Sequence, residues 1–149
     1  MPIIKRTNSE DPDFKKLTQQ LDEELCRIYE TQQADYEEYN RISDLHTVIV
    51  AYHEALPVGC GCFKRFSGNT LELKRMFIAP DFRGLGLGSS IVRELESWGG
   101  ELEYKYAVLE TGKKQPEAIA MYQRLGYLIT ENFGHYKSQQ HSVCMKKEL

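Results

Sequence analysis

Apolar residues recur along this chain at two periods, and each change of period marks a new element. Phe14, Leu17, Leu21, Leu25 and Ile28 follow at steps of three and four, with Lys15, Lys16, Asp22 and Glu23 largely on the other side. That is an amphipathic helix, and Asp11 followed by Pro12 supplies its N-cap and first position. Ile3 and Ile4 before it predict a short first strand. From His46 to Ile78 the period shortens. Val48 to Val50, Val58 to Phe66 and the run from Leu71 read as three strands, with turns at His53 to Pro57 and at Ser67-Gly68-Asn69, an antiparallel meander. Leu87, Ile91, Leu95 and Trp98 return to helical spacing, and Gly99-Gly100 reads as the C-cap. Tyr106 to Glu110 predicts a strand that needs a parallel neighbour, reached by a right-handed crossover. A last helix opens at Gln115-Pro116-Glu117, carries Ala118, Ile119, Tyr122 and Leu125 and stops at Gly126. Tyr127 to Thr130 and His141 to Lys147 close the pattern as strands. Thr31 to Asn40, with Tyr36 and Tyr39 among charges, suits either a second short helix or a flap.

No repeat or linker interrupts this order, and 149 residues suit a single domain, 1–149. No apolar run is long enough to span a bilayer and none follows Met1 as a signal segment, so a cytoplasmic location and no membrane partner are the default expectations. The net charge of −3 is uneven: residues 1–45 hold eleven acidic and six basic side chains, a balance of −5, and the remainder carries +2. That disfavours nucleic acid as a partner and would favour a cationic one if the acidic part faces a site. The alternative is a solvated acidic helix face. Cys26, Cys60, Cys62 and Cys144 form no Cys-x-x-Cys pair, so buried free thiols and no metal are expected.

The strongest chemical signal lies at the junction of the third meander strand and the next helix. The strand stops at Pro80, and Arg83, Gly84, Leu85, Gly86, Leu87, Gly88 and Ser89 lead into the helix. Such glycines let backbone N–H groups turn toward one point, and the helix start adds partial positive charge. Phosphate or pyrophosphate suits that arrangement; a softened turn capping a core helix is the structural alternative. The dinucleotide fingerprint fails, because Ser89 stands where its third glycine belongs, and the P-loop fails, because no lysine follows these glycines. Arg83-x-x-Gly86-x-Gly88 does resemble the acyl-CoA loop of the GCN5-related N-acetyltransferase (GNAT) family. The resemblance places the pantetheine arm along Met76, Phe77 and Ile78.

A second block agrees in content and spacing: Leu109-Glu110-Thr111-Gly112, then Gln115 to Ile119, then Tyr122-Gln123-Arg124-Leu125-Gly126-Tyr127. The two blocks span Leu71 to Tyr127. One departure is that many members carry an asparagine near the start of the last helix, and Gln115 is the nearest candidate here. The resemblance implies an α/β fold with a twisted mixed sheet, whose strands four and five begin parallel and splay into a wedge for acetyl-CoA. It implies a backbone N–H near Met76 or Phe77 for the oxyanion, and Tyr122 as proton donor to the departing thiolate. By pattern alone Tyr122 is a core aromatic. Glu72, Glu110 and Glu24 are candidate acceptors of the amine's proton, Glu72 first. Lys74 and Arg75 could bind CoA phosphates or an acceptor carboxylate, or point to solvent. The implied acceptor is a small-molecule amine or amino acid, and a homodimer is compatible. The alternatives are a non-catalytic acyl-CoA-binding or regulatory module, and an enzyme acting on a protein or peptide amine.

Overall fold

The computed structural model describes residues 2–30, 45–137 and 139–149. Among these, seven strands form one sheet in the order β1-β2-β3-β4-β5-β7-β6. They are β1 (Ile3–Thr7), β2 (Val48–His53), β3 (Leu56–Ser67), β4 (Thr70–Ile78), β5 (Tyr106–Gly112), β6 (Leu128–Thr130) and β7 (Ser142–Glu148). Every neighbouring pair is antiparallel except β4 and β5, which run parallel and are joined by the expected crossover helix. The helices are α1 (Pro12–Tyr29), α2 (Leu87–Glu101) and α3 (Pro116–Arg124).

Both faces of the sheet are covered, which is why Val48, Ile49 and Val50 can all be apolar and all be buried. Val48 and Val50 join Phe14, Leu17 and Leu21 of α1, together with Cys60, Cys62 and Phe77. Ile49 points the other way, into a core built by Ile91, Val92 and Leu95 of α2 and Tyr122 of α3 on Leu71, Leu73, Leu109 and Met145. Each such fully buried side chain contributes about 1.5–3 kcal/mol. The cap of α1 is as the sequence predicts: Asp11 Oδ1 accepts from the Asp13 amide at 2.9 Å. All four cysteines are free, with Cys60, Cys62 and Cys144 buried. No helix among the described residues is long and apolar enough to cross a membrane.

Strand ends shift by one or two residues, as where β5 runs on to Gly112, and three further differences from the sequence reading concern turns and glycines. Gly99 and Gly100 lie within α2, which runs on to Glu101; the left-handed residue that turns the chain is Glu103, at φ 70°. Gly99 is needed for packing instead, since a Cβ there would collide with Leu71 Cδ2. The turn predicted across His53 to Pro57 shrinks to Glu54 and Ala55, both left-handed at φ 48° and 70°, so β2 reaches His53 and β3 starts at Leu56. A two-residue hairpin turn usually uses Asn or Gly at such positions, and neither stands here. Gly88 belongs to the first turn of α2 rather than to the loop. The helix or flap expected over Thr31 to Asn40 lies outside the described residues.

Candidate active site

Pairing between β4 and β5 covers only Thr70 to Leu73 against Tyr106 to Leu109. Beyond that point β4 follows β3, as far as Ile78 opposite Gly59, while β5 follows β7, as far as Gly112 opposite Ser142. The strands therefore splay, and among the described residues Lys74 to Ile78 have no partner strand on the β5 side. Unpaired backbone donors and acceptors on a strand need partners, and an amide-bearing ligand can provide them.

A bulge sets what the wedge presents. Cys60 pairs with Phe77 and Cys62 with Lys74, so Arg75 and Met76 together oppose Gly61. Arg75 takes the left-handed conformation, at φ 58°. The extra residue resets the alternation of β4. Leu71 and Leu73 face α2, and Met76 and Ile78 do so too, although plain alternation would have turned them away. Phe77 faces α1 instead. Of the three residues expected along the pantetheine, two side chains thus line the α2 and α3 side of the wedge and Phe77 lines the opposite one. Gly61 makes the bulge possible, because a Cβ there would overlap Met76 Sδ. Arg75 locks it: its Nη2 donates to Thr18 O at 2.9 Å and to Asp22 Oδ1 at 2.7 Å, both on α1.

The glycine loop has the open form that a phosphate ligand needs. Gly84 and Gly86 are left-handed, at φ 79° and 83°, and a Cβ on either would meet nothing within 4 Å. Gly86 is the N-cap residue of α2, a helix of 15 residues. The loop thus offers uncrowded backbone at the positive end of a helix, which fits the pyrophosphate of an acyl-CoA. Leu85 is exposed at the tip, Leu87 turns into the core, and Ser89 is half-buried. Gly88 serves packing: a Cβ would lie 2.8 Å from Met121 Sδ of α3. Arg83 anchors the loop, its Nε donating to Ile78 O at 2.7 Å and its guanidinium pairing with Glu24 of α1 at 2.8 Å. Glu24, one of the three carboxylates considered as proton acceptor, is therefore occupied at the loop.

Tyr122 stands on α3 with its ring buried and edge-on to Tyr127, centroids 5.8 Å apart. Its hydroxyl makes no hydrogen bond to the described residues. Burial, with a smaller contribution from the charge of Glu110, pushes the phenol well above its ordinary pKa. It stays protonated and able to donate throughout the neutral range. Gln115 is the N-cap residue of α3, and its side chain lies beside Gly112 at the end of β5.

The α1 face of the splay holds a polar cluster, much of which the sequence did not announce. Glu72 and Lys74 are buried there rather than exposed, with Lys74 Nζ 3.5 Å from Glu72 Oε2. Tyr136 from the β6–β7 connection joins them: its hydroxyl donates to Glu72 Oε2 at 2.9 Å and accepts from Lys74 Nζ at 3.2 Å. Burial lowers the pKa of the Lys74 ammonium and raises that of the Tyr136 phenol. On β5, Glu110 accepts from Ser142 Oγ at 2.6 Å, and burial raises its carboxyl above the ordinary value. Tyr29, the last residue of α1, crosses to β5, where its hydroxyl sits against Gly112 and accepts from the Lys114 amide at 3.3 Å. Tyr29, Tyr136 and Ser142 escaped the sequence reading because each is a single aromatic or hydroxyl outside any motif, and its partner is far away in the chain.

A mixed sheet whose parallel pair, β4 and β5, splays beside a left-handed glycine loop at a helix start is the arrangement of an acyl-CoA-dependent acyltransferase. The sequence profile of the acetyltransferase (GNAT) family matches residues 14–127, and the chain belongs to this family. It is 30% identical over 142 residues to an IAA acetyltransferase of Azospirillum brasilense, covering 90% of this chain and 89% of that one. A provisionally assigned acyl-CoA N-acyltransferase from Klebsiella pneumoniae superposes with a TM-score of 0.82 at 30% identity, covering 100% of this chain and 98% of the other. The PaiA N-acetyltransferase of Thermoplasma acidophilum, solved with coenzyme A, shares the fold at a TM-score of 0.75 and 15% identity, over 100% and 99% of the two chains. The protein is an acetyltransferase that uses acetyl-CoA as its acyl donor.

Proposed function

We propose that this single domain transfers acetyl from acetyl-CoA to the amine of a small molecule or amino acid. The observation that carries this reading is the convergence at the β4–β5 splay of Tyr122 from one face and a buried carboxylate cluster from the other. Acetyl-CoA, when bound, supplies an acetyl group activated as a thioester. Gly84, Gly86 and the start of α2 would hold its pyrophosphate, with Leu85, Leu87, Gly88 and Ser89 shaping the loop and Arg83 fixing it to α1. Met76, Phe77, Ile78 and Gln115 would border the pantetheine. A backbone N–H at Met76 or Phe77 stabilises negative charge developing on the acetyl oxygen. Tyr122 donates a proton to the departing sulfur.

An alkylamine has a pKa of about 10.4 and is mostly protonated at neutral pH, so it needs an acceptor for its proton before it can attack. Glu72 and Glu110 lie on the α1 face of the splay, opposite Tyr122, which this reading takes as the acceptor face, and the acidic balance of residues 1–45 favours a cationic acceptor. The test is a thiol-release screen with acetyl-CoA against amines, amino acids, polyamines and peptides. Release with a small amine supports the reading. Release only with peptides would move the acceptor to a protein, and binding of acetyl-CoA with no release from any acceptor would leave a non-catalytic module.

A further inference from the structure

Resting on that reading, the geometry separates the two carboxylates of the acceptor face. Glu72 sits beside β5 on a paired rung, opposite Val108, and its Oε2 is already shared by the Lys74 ammonium and the Tyr136 hydroxyl. Glu110 lies one residue past the final rung, where the strands have just parted, and the β5 alternation puts it on the same face. A single short hydrogen bond from Ser142 orients it, and among the described residues it has no cation within salt-bridge distance. Glu110 is also the carboxylate whose charge reaches the Tyr122 phenol from across the wedge. Lys74 acts on Glu110 only through space, its ion pair being with Glu72, and a buried carboxylate that is oriented but not itself ion-paired is a receptor for an ammonium group.

We propose that Glu110, rather than Glu72, receives the acceptor's ammonium group and takes its proton, with Ser142 as its positioning residue. The ammonium passes one proton to the Glu110 carboxylate and becomes a neutral amine. Its nitrogen forms the C–N bond to the acetyl carbon, and the C–S bond breaks. The sulfur takes a proton from Tyr122, which recovers one from the nitrogen, and Glu110 returns its own to solvent. Glu72, held by Lys74 and Tyr136, frames the site. The groups around Glu110 are Glu72 and Lys74 from β4, Cys144 from β7 and Tyr136 from the β6–β7 connection. On the same face, Lys64 lies across from Glu72, and Lys146 lies across from Val108 against the Tyr106 ring. From α1, Tyr29 packs against His141, next to Ser142, with ring centroids 5.8 Å apart.

The experiment compares pH profiles of kcat/KM for the wild type, Glu110→Gln, Glu72→Gln and Ser142→Ala, using an acceptor from the amine screen. Calorimetry of the same variants measures acetyl-CoA binding, and acceptor binding to the coenzyme A complex. Glu110→Gln should lower kcat/KM at neutral pH by about 10²–10⁴-fold, remove the acidic limb and weaken acceptor binding, with acetyl-CoA affinity retained. Glu72→Gln should keep the limb. Ser142→Ala should move the limb to higher pH, because the lost hydrogen bond favoured the ionised carboxylate; a merely structural serine would leave its midpoint in place. A limb that survives in Glu110→Gln overturns the assignment, giving it to Glu72 if Glu72→Gln loses the limb and to water if neither does. Should Glu110→Gln fail to fold, Glu110→Asp substitutes: the limb should persist at a reduced rate, and an unchanged rate would count against the proposal. If the wild type binds acetyl-CoA but acetylates nothing, the transferase reading falls first, and this assignment with it.

Discussion

Leu73 and Leu109 form the last rung on which β4 and β5 pair, and both side chains are buried in the core beneath α2 and α3. One residue later, on the opposite face, stand Lys74 and Glu110. The point at which the sheet opens is therefore packed on one side and polar on the other, which keeps the wedge firm while leaving charged groups at its mouth. Just beyond it, the Arg75 bulge directs Met76 and Ile78 toward the packed side.

Gly86, the N-cap residue of α2, and Gly88, in its first turn, should fail in different ways. Gly86→Ala adds a methyl group that meets no atom, yet it must hold φ near 83°, at a cost of about 1–2 kcal/mol. The chain can relieve that strain by turning the backbone, which spoils the phosphate cradle, so calorimetric titration should register weaker acetyl-CoA binding. Gly88→Ala pushes on Met121 of α3, and its effect should appear first as a lower melting temperature. Full affinity in Gly86→Ala would take the loop out of the cofactor site.

Gly99 and Gly100 are adjacent in α2 and should respond with opposite sign. A Cβ at Gly99 collides with Leu71, so Gly99→Ala forces α2 away from β4 and should destabilise by about 1–3 kcal/mol. A Cβ at Gly100 meets nothing within 4 Å, and neither residue is left-handed. Gly100→Ala should stabilise by roughly 0.5–1 kcal/mol through helix propensity. Chemical denaturation of both variants measures the pair, and a destabilised Gly100→Ala would return this glycine to a capping role.

These glycines also mark where the sequence could be read and where it could not. Periodicity located the α1 stripe from Phe14 to Leu21, the meander, the crossover and α3, because each buries one face against a neighbour. The Arg83 to Gly88 spacing located the loop, because a left-handed backbone at Gly84 and Gly86 leaves glycine in the letters. The Arg75 bulge left no such mark: a non-glycine residue at φ 58° is held there by Thr18 and Asp22, far away in the chain. For the same reason Glu72 and Lys74 could not be known as a buried pair. Their burial depends on Tyr136, 62 residues beyond Lys74, which reaches over them from a stretch that reads as merely polar.

The Glu110 carboxyl should cost the fold stability at neutral pH. Burial raises its folded-state pKa above the ordinary 4.5, so the protonated form is the one the fold favours. The stabilising contribution is fully present below pH 4.5 and is lost as the pH rises through the folded value. Glu110→Gln removes that dependence. Its stability relative to the wild type should increase as the pH rises from 4 toward 7 and then level off. Thermal melts across that range test the sign, and a gap that narrows with rising pH would contradict the burial argument.

Tyr122→Phe removes a hydroxyl that makes no hydrogen bond to the described residues and keeps a ring that packs edge-on to Tyr127. The wedge and its core should survive, and stability should change by less than about 1 kcal/mol, since no protein hydrogen bond is lost. If the hydroxyl protonates the departing sulfur, kcat should fall by about 10²–10⁴-fold while acetyl-CoA affinity changes little, because the contact matters chiefly in the transition state. The burial-raised phenol also sets the pH behaviour. Tyr122 remains a proton donor well past neutrality, so no loss of rate below about pH 9 should trace to its ionisation. A core aromatic without a catalytic role predicts near-normal turnover in the same variant. Steady-state kinetics with a confirmed acceptor, beside a cofactor titration, separates the two. A Phe variant that keeps most of its kcat would leave protonation of the sulfur to water and reduce Tyr122 to packing.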